Sequence, residues 1–174
     1  MTIYAGGRRS RLIRESFTRM LYDALDELDW FNPAAQHKPV TFTFDPVDYQ
    51  VELVPNVIAI GDDDYDTDEW EIGSQMAEHR WIVYIDVYAE NSAVGIHLSH
   101  DIKAILDGRF PSVGRSDPSF PVYDWSMATP PQIFVAQLEN ITLNRGRAFN
   151  RPWERFWYML SMEIVDYYGT EDDG

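Results

Sequence analysis

The clearest alternation of apolar and polar residues lies within Glu78–Gly108. Over Trp81–Tyr88, β-branched and aromatic residues follow a period of two, as on a half-buried strand. Asn91-Ser92 then interrupts the alternation and offers side-chain oxygens that can cap a helix. Apolar residues follow at helical spacing until Asp107-Gly108, where the glycine can end a helix in the left-handed conformation. This stretch therefore predicts a central strand that leads directly into a helix.

The same periodicities predict a second helix and several more strands. Apolar residues recur at steps of three and four from Arg9 to Asp29, which indicates an amphipathic helix. Strands are predicted at Pro39–Asp45, Tyr49–Val54, Val57–Ile60, Pro121–Trp125, Ile133–Leu143 and Trp153–Tyr168. We expect the last two to pair with each other. Because hairpin-length connections favour antiparallel pairing, the predicted fold class is α+β, a mainly antiparallel sheet of about four to six strands packed against two helices.

The 174 residues are long enough for one domain, so we predict a single domain spanning 1–174. Four segments are expected to be irregular: a flexible arm at 1–8, an acidic loop at 61–73, a long proline-rich loop at 109–131 and a disordered tail at 169–174. A dense run of like charges repels itself and favours an exposed loop. A loop as long as 109–131 is typically functional or leaves the domain as an arm.

Composition and net charge exclude several classes of protein. The chain has no cysteine, which excludes a disulfide framework, thiolate metal ligands and a thiol nucleophile. Its apolar runs are much shorter than the ~20 residues that span a bilayer, and no signal peptide is recognisable. A net charge of -15 repels nucleic acid and anionic lipid. We therefore expect no membrane partner and no sequence-specific binding of nucleic acid.

The charge is unevenly distributed along the chain. Arginines dominate 8–19 and 145–155, whereas between Asp23 and Glu78 Lys38 is the only basic residue apart from histidine. In the N-terminal helix, arginines at the start and acids at the end both oppose the helix dipole. Faces of opposite sign suit assembly, although ordinary solvated surface is the alternative interpretation. The candidate interface residues are Arg8, Arg9, Arg11, Arg14, Asp62, Asp63, Asp64, Asp66, Asp68, Glu69, Arg145, Arg147 and Arg151.

The acidic stretch does not fit a calcium-binding EF-hand. Counted from Asp64, the sixth position is Glu69 instead of glycine and the twelfth is Gln75 instead of glutamate. His97 and His100 have a spacing that could serve a metal, but no third ligand is identifiable. We predict no metal and no cofactor.

Catalytic motifs are equally absent from the sequence. Asp86 and Glu90 flank a predicted strand end, as nuclease carboxylates do, but no lysine completes such a site nearby. No nucleophile-elbow, Walker or dinucleotide-binding motif occurs. We predict that the protein is not an enzyme. The alternative from another class is a metal-dependent hydrolase that uses Asp86, Glu90 or the acidic stretch.

Three stretches together resemble a group of virion proteins. The helix RLIRESFTRMLYDALDEL precedes a β-meander, the strand RWIVYIDVYAEN leads directly to the helix LSHDIKAILDG, and the chain closes with RPWERFWYMLSMEIVDYY. This layout, over roughly Ser10 to Tyr168, resembles the tail terminator (tail completion) proteins of long-tailed phages, in the gpU-like group. The resemblance is one of layout, because no residue signature defines the group.

The resemblance implies a non-enzymatic α+β subunit that forms a six-fold ring through which DNA passes. Such a ring caps the tail tube, stops its polymerisation and presents a surface to the head-side connector. Its implied partners are further copies of the chain, the tail tube protein and the head-side connector or stopper protein. Its implied location is the virion tail or neck, after synthesis in the host cytoplasm. The neighbouring alternative is another neck protein, a stopper or adaptor, although stoppers tend to be more purely β and adaptors more purely helical.

Overall fold

The computed structural model of the chain describes residues 5–35, 40–43, 56–69, 76–145 and 156–169. These ranges contain two α-helices, six strands and a short 3₁₀ helix. In chain order the elements are α1 (Ala5–Glu27), β1 (Val40–Thr43), β2 (Asn56–Glu69), β3 (Met76–Ala89), α2 (Ser92–Leu106), the 3₁₀ helix (Pro111–Val113), β4 (Ser119–Tyr123), β5 (Gln132–Arg145) and β6 (Phe156–Gly169).

The six strands form one sheet in the order β1-β2-β3-β6-β5-β4. Neighbouring strands are antiparallel except β1 and β2, which run parallel. The predicted α+β fold class is confirmed. The predicted pairing of the last two long strands is also confirmed, with Leu138 opposite Ile164. At the centre of the sheet, β3 and β6 pair along their full length, from Met76↔Gly169 to Ala89↔Phe156.

The core lies between the helices and one face of the sheet. Its residues follow a step of three or four along the helices and of two along the strands, as the sequence periodicity indicates. Fully buried members include Ile13, Phe17, Leu21 and Leu25 of α1, Leu98, Ile102 and Ile105 of α2, Ile85 and Val87 of β3, and Leu160 and Met162 of β6. The opposite face of the sheet is therefore turned away from both helices.

Short-range capping fixes the turn from β3 into α2. Asn91 Oδ1 accepts a hydrogen bond from the Val94 amide at 2.9 Å, which satisfies one of the free donors at the start of the helix. After the helix, Gly108 has a φ of +67°, and a Cβ there would lie 2.1 Å from the Asp117 carbonyl carbon. Only glycine fits this position, so the predicted strand–helix unit is confirmed together with its predicted ends.

Two segments that were expected to be irregular are regular in the structure. Helix α1 begins at Ala5, inside the predicted arm 1–8. The backbone of 61–69, predicted as part of an acidic loop, continues β2 and pairs with β3 as far as Glu69↔Ala77. Ladder hydrogen bonds to the long β3 strand outweigh the repulsion between the carboxylates, and a bulge between Asp63 and Tyr65 adjusts the register. The predicted strand at 49–54 and residues 70–75 and 170–174 lie outside the described residues.

The proline-rich segment 109–131 is packed against the domain and does not leave it as an arm. Arg115 is 7% exposed, and its guanidinium donates hydrogen bonds to the carbonyl oxygens of Ile105 at 3.1 Å, Ser119 at 2.6 Å and Asp117 at 3.2 Å. Strand β4 follows and pairs with β5 at the edge of the sheet, where Pro121 is tolerated. The short strand predicted within this segment is therefore present, with bounds shifted by two residues.

Candidate functional site

Arg9 is engaged inside the subunit, although the sequence places it among the candidate interface residues. Its Nη2 donates to Asp166 Oδ1 at 2.9 Å, and its Nε donates to the other carboxylate oxygen. The guanidinium carbon also lies 3.8 Å from the centroid of the Phe134 ring. Asp166 is only 1% exposed and the Arg9 side chain is 23% exposed, so this pair connects α1 to β6 in a largely buried position. Arg9 therefore belongs to the packing of the domain.

The other described N-terminal arginines lie on the outside of α1. Arg11 and Arg14 are exposed. Arg19 pairs with Glu15 at 3.2 Å, and its guanidinium carbon lies 4.3 Å from the centroid of a Trp125 ring. Arg8 is within α1, and its side chain is outside the description, as are residues 146–155 with Arg147 and Arg151. Arg145 ends β5 and is exposed.

The predicted acidic patch lies in the second half of β2. Asp62, Asp63, Asp64, Asp66, Asp68 and Glu69 are all in this strand. Strand β1 pairs only with the first four residues of β2, Asn56–Ala59, so among the described strands the patch borders β3 alone. Charged residues along a strand edge oppose unwanted edge-to-edge pairing, which gives the acidic run a structural reason. The acids of this patch therefore belong to a strand, whereas the N-terminal arginines belong to helix α1.

A second acidic group lies at the C-terminal half of α1. Asp23, Asp26 and Glu27 are exposed there, on the same helix as Arg11 and Arg14. These acids are absent from the predicted interface set. Helical spacing could have identified them in the sequence. Asp26 follows Arg11 by fifteen residues, so the two side chains lie within about 60° of each other around the helix. Helix α1 therefore presents a basic half followed by an acidic half.

The face of the sheet turned away from the helices carries aromatic and polar side chains. Tyr88 stacks on Trp157, with ring centroids 6.3 Å apart and planes at 7°. Trp157 Nε1 donates to Asp86 Oδ1 at 2.8 Å. Burial raises the pKa of Asp86, and the hydrogen bond from Trp157 opposes that rise. Asp86 is therefore held by the packing of β3 against β6.

Two carboxylates considered for a hydrolase lie in and just after β3. Asp86 is half-buried within the strand, and its Oδ1 accepts the hydrogen bond from Trp157. Glu90 follows the end of β3, where its amide donates to Asn56 Oδ1 at 3.2 Å. Among the described residues, no third acid or histidine is grouped with these two so that a metal ion could be held.

The histidines do not assemble a metal site with described residues either. His97 and His100 are exposed on α2. Beside them, Asp101 accepts a hydrogen bond from Trp30 Nε1 at 2.9 Å, which links α2 to the end of α1. Across the part of the chain that the structure describes, no group of three or more His, Asp or Glu side chains is placed to hold a metal ion.

Replacing Asp86 with asparagine is expected to stabilise the protein near neutral pH and to have little effect in acid. A raised pKa means that the folded state favours the protonated carboxyl. The stability associated with Asp86 is therefore complete below its unfolded pKa of about 4 and is lost as the pH rises through the folded pKa. Asparagine keeps an oxygen acceptor for Trp157 without ionising. Melting temperatures of both proteins are measured from pH 3 to pH 8. The variant should melt at nearly the same temperature as the original chain at pH 3 and at an increasingly higher temperature as the pH rises. A difference that stays constant with pH would contradict this explanation.

Comparison with protein-family models and with curated protein sequences finds no match to this chain. Among the described residues, no helix is long and apolar enough to cross a membrane.

Proposed function

We propose that this chain is a structural virion protein, a tail terminator of a long-tailed phage. In this proposal, copies of the chain form a ring, most simply of six subunits, that caps the tail tube and stops its polymerisation. The other side of the ring meets the head-side connector. The protein catalyses no reaction in this role. It would be found in the tail or neck of the virion.

The observation that carries the proposal is the order and pairing of the elements. A long N-terminal helix precedes the sheet, β3 passes directly into α2 through the Asn91 cap, and the chain closes with the β5–β6 pair. This is the layout on which the resemblance to tail terminators rests. The mixed composition of two helices and six strands also favours a terminator over a purely helical adaptor or a purely β stopper.

The surfaces of the subunit support a role in assembly. Oppositely charged residues lie exposed at the two halves of α1. A ring needs two different, complementary patches on each subunit, because each copy contacts two neighbours with different surfaces. For the hydrolase alternative, the described residues contain no group of three metal-ligating side chains around Asp86 or Glu90. A stopper or adaptor remains the second candidate, since those proteins also form rings in the neck.

A tube-length assay tests the proposed function. The purified protein is added to tail-tube subunits that are polymerising, and tube lengths are measured by electron microscopy. We expect shorter tubes, each with a density at one end. The control is Arg9→Glu, whose folded state is weakened because the buried Asp166 loses its partner, and which should therefore cap tubes less well. Tubes of unchanged length with bare ends would contradict the proposal, and rings that bind a head connector but not tubes would favour a stopper.

A further inference from the structure

We infer that the outer face of α1 is a self-complementary surface through which one copy of the chain binds the next. Its basic half would contact the acidic half of α1 in the neighbouring copy. Arg11 and Arg14 of this surface belong to the candidate interface set, whereas the acids Asp23, Asp26 and Glu27 do not. The inference rests on the proposed function for its ring geometry, whereas the contact between α1 helices stands on the observations below.

Three exposed residues of α1 form one stripe whose charge changes sign along the helix. At 100° per residue, Arg11, Tyr22 and Asp26 lie within about 60° of one another. Arg14 and Arg19 lie about 60° and 80° to either side of Arg11, and Asp23 and Glu27 lie about 60° and 100° beyond Asp26 around the helix. At 1.5 Å per residue, Arg11 and Asp26 are about 22 Å apart along the axis. These two charges are therefore too distant to neutralise each other within one copy.

The charges on the outside of α1 differ in their contacts within the subunit, because Arg14 and Arg19 have interactions there. In the part of the chain that the structure describes, no ion pair involves Arg11, Asp23, Asp26 or Glu27. The helix itself does not favour them, because α1 has no acid in its first turn and no base in its last turn. Arginines near the start and acids near the end are the reverse of what the helix dipole stabilises. Neither local helix stability nor packing of the domain explains the pattern.

A second copy is the occupant that this pattern fits best. The chain has a net charge of -15, so two copies repel each other at most orientations. The basic half of α1 is an exposed positive surface on this negatively charged chain. The acidic half of α1 in another copy offers complementary charge on an equally rigid element. The stripe also has an aromatic centre, because Tyr22 is 43% exposed and stacks on Phe31 with ring centroids 4.5 Å apart. Aromatic side chains surrounded by charged residues are typical of protein interfaces.

The sign order also determines how neighbours connect. If the basic half of each α1 contacts the acidic half of the next, the contact is heterologous and repeats around a closed ring. If two α1 helices instead lie antiparallel, both charge contacts form at once and the result is a two-fold dimer. Both arrangements use the same residues, so the size of the assembly distinguishes them while the substitutions test the contact itself.

Charge exchange tests the inference. Arg11→Asp and Asp26→Arg are made singly and together, with Arg109→Asp as the matched control at an exposed arginine after α2. Assembly is measured by sedimentation velocity over a concentration series, and folding by thermal melting. We expect each single variant to melt like the original chain and to assemble at least tenfold more weakly. The double variant should recover assembly, because acid and base have exchanged places, and the control should assemble normally.

The outcomes separate this inference from the proposed function. Single variants that assemble like the original chain overturn the α1 contact, and six-fold rings in that case leave the proposed function intact. Loss of assembly without recovery in the double variant also overturns the contact. Recovery that yields only dimers supports the α1 contact and contradicts the ring. An original chain that stays monomeric at every concentration, or an Arg11→Asp variant that loses only binding to a DNA duplex, overturns self-association through α1.

Discussion

Replacing Arg9 with glutamate is expected to destabilise the folded chain by about 3–5 kcal/mol, a large share of the about 5–15 kcal/mol that stabilises an ordinary domain. Asp166 is 1% exposed and has its carboxylate oxygens bound by the Arg9 guanidinium. Loss of that partner leaves a buried negative charge, and the introduced glutamate adds a second one beside it. The contact with the Phe134 ring is lost as well. Chemical denaturation followed by circular dichroism measures the effect.

Arg11→Glu is the matched control for this substitution. Arg11 is two residues further along α1 and exposed, so the same change should alter stability by no more than about 0.5 kcal/mol. Equal stability of the two variants would show that the Arg9–Asp166 pair does not connect α1 to β6 in solution. The pair also means that reversing the N-terminal arginines as a group tests folding together with assembly, so an assembly experiment should leave Arg9 unchanged.

Replacing Arg115 with methionine is expected to cost about 3 kcal/mol or more. The Arg115 side chain is buried and donates to three backbone carbonyl oxygens, those of Ile105, Asp117 and Ser119. A buried polar group that loses its partner costs about 1–3 kcal/mol. Burial lowers the pKa of Arg115, and the charge of Asp117 partly offsets that effect. Compared with the original chain, the variant should show a larger increase in amide hydrogen exchange in β4 than in β3. The reason is that Arg115 anchors the segment between α2 and β4.

Arg109→Met is the corresponding control, since Arg109 is exposed in the same segment. It should change the free energy of unfolding by less than about 0.5 kcal/mol. If Arg115→Met unfolds at the same denaturant concentration as the control, the three carbonyl contacts are not holding the segment. Faster exchange throughout the sheet, instead of mainly in β4, would indicate that Arg115 supports the whole domain.

The parts of the fold that depend on local residues could be predicted from the sequence. The turn from β3 into α2 needs only the Asn91 cap, and its end needs only the positive φ of Gly108. The course of β2 through the acids is different, because it depends on pairing with β3 in the sheet. Repulsion among neighbouring carboxylates is visible in the sequence, whereas the ladder that outweighs it is a non-local interaction. The acidic stretch was therefore predicted as a loop.

The same distinction applies to the candidate surfaces. Arg9 and Arg11 look equivalent in the sequence, since both belong to one basic segment of a helix. The difference is that Arg9 pairs with Asp166, which lies 157 residues further along the chain, whereas Arg11 is exposed on the surface. The hydrogen bond between Trp157 and Asp86 is equally non-local. Charge sign could be predicted from the sequence, but which charges face a partner depends on tertiary contacts.

Negative-stain imaging of the purified chain at high concentration, with its solution mass determined on the same sample, tests the central claim most directly. We expect closed rings with six-fold symmetry and a mass of about six times the 20.2 kDa subunit. The rings should weaken as salt is raised towards 1 M, where screening acts within about 3 Å. A stable dimer with no rings at any concentration would contradict the claim that this chain forms a tail-capping ring.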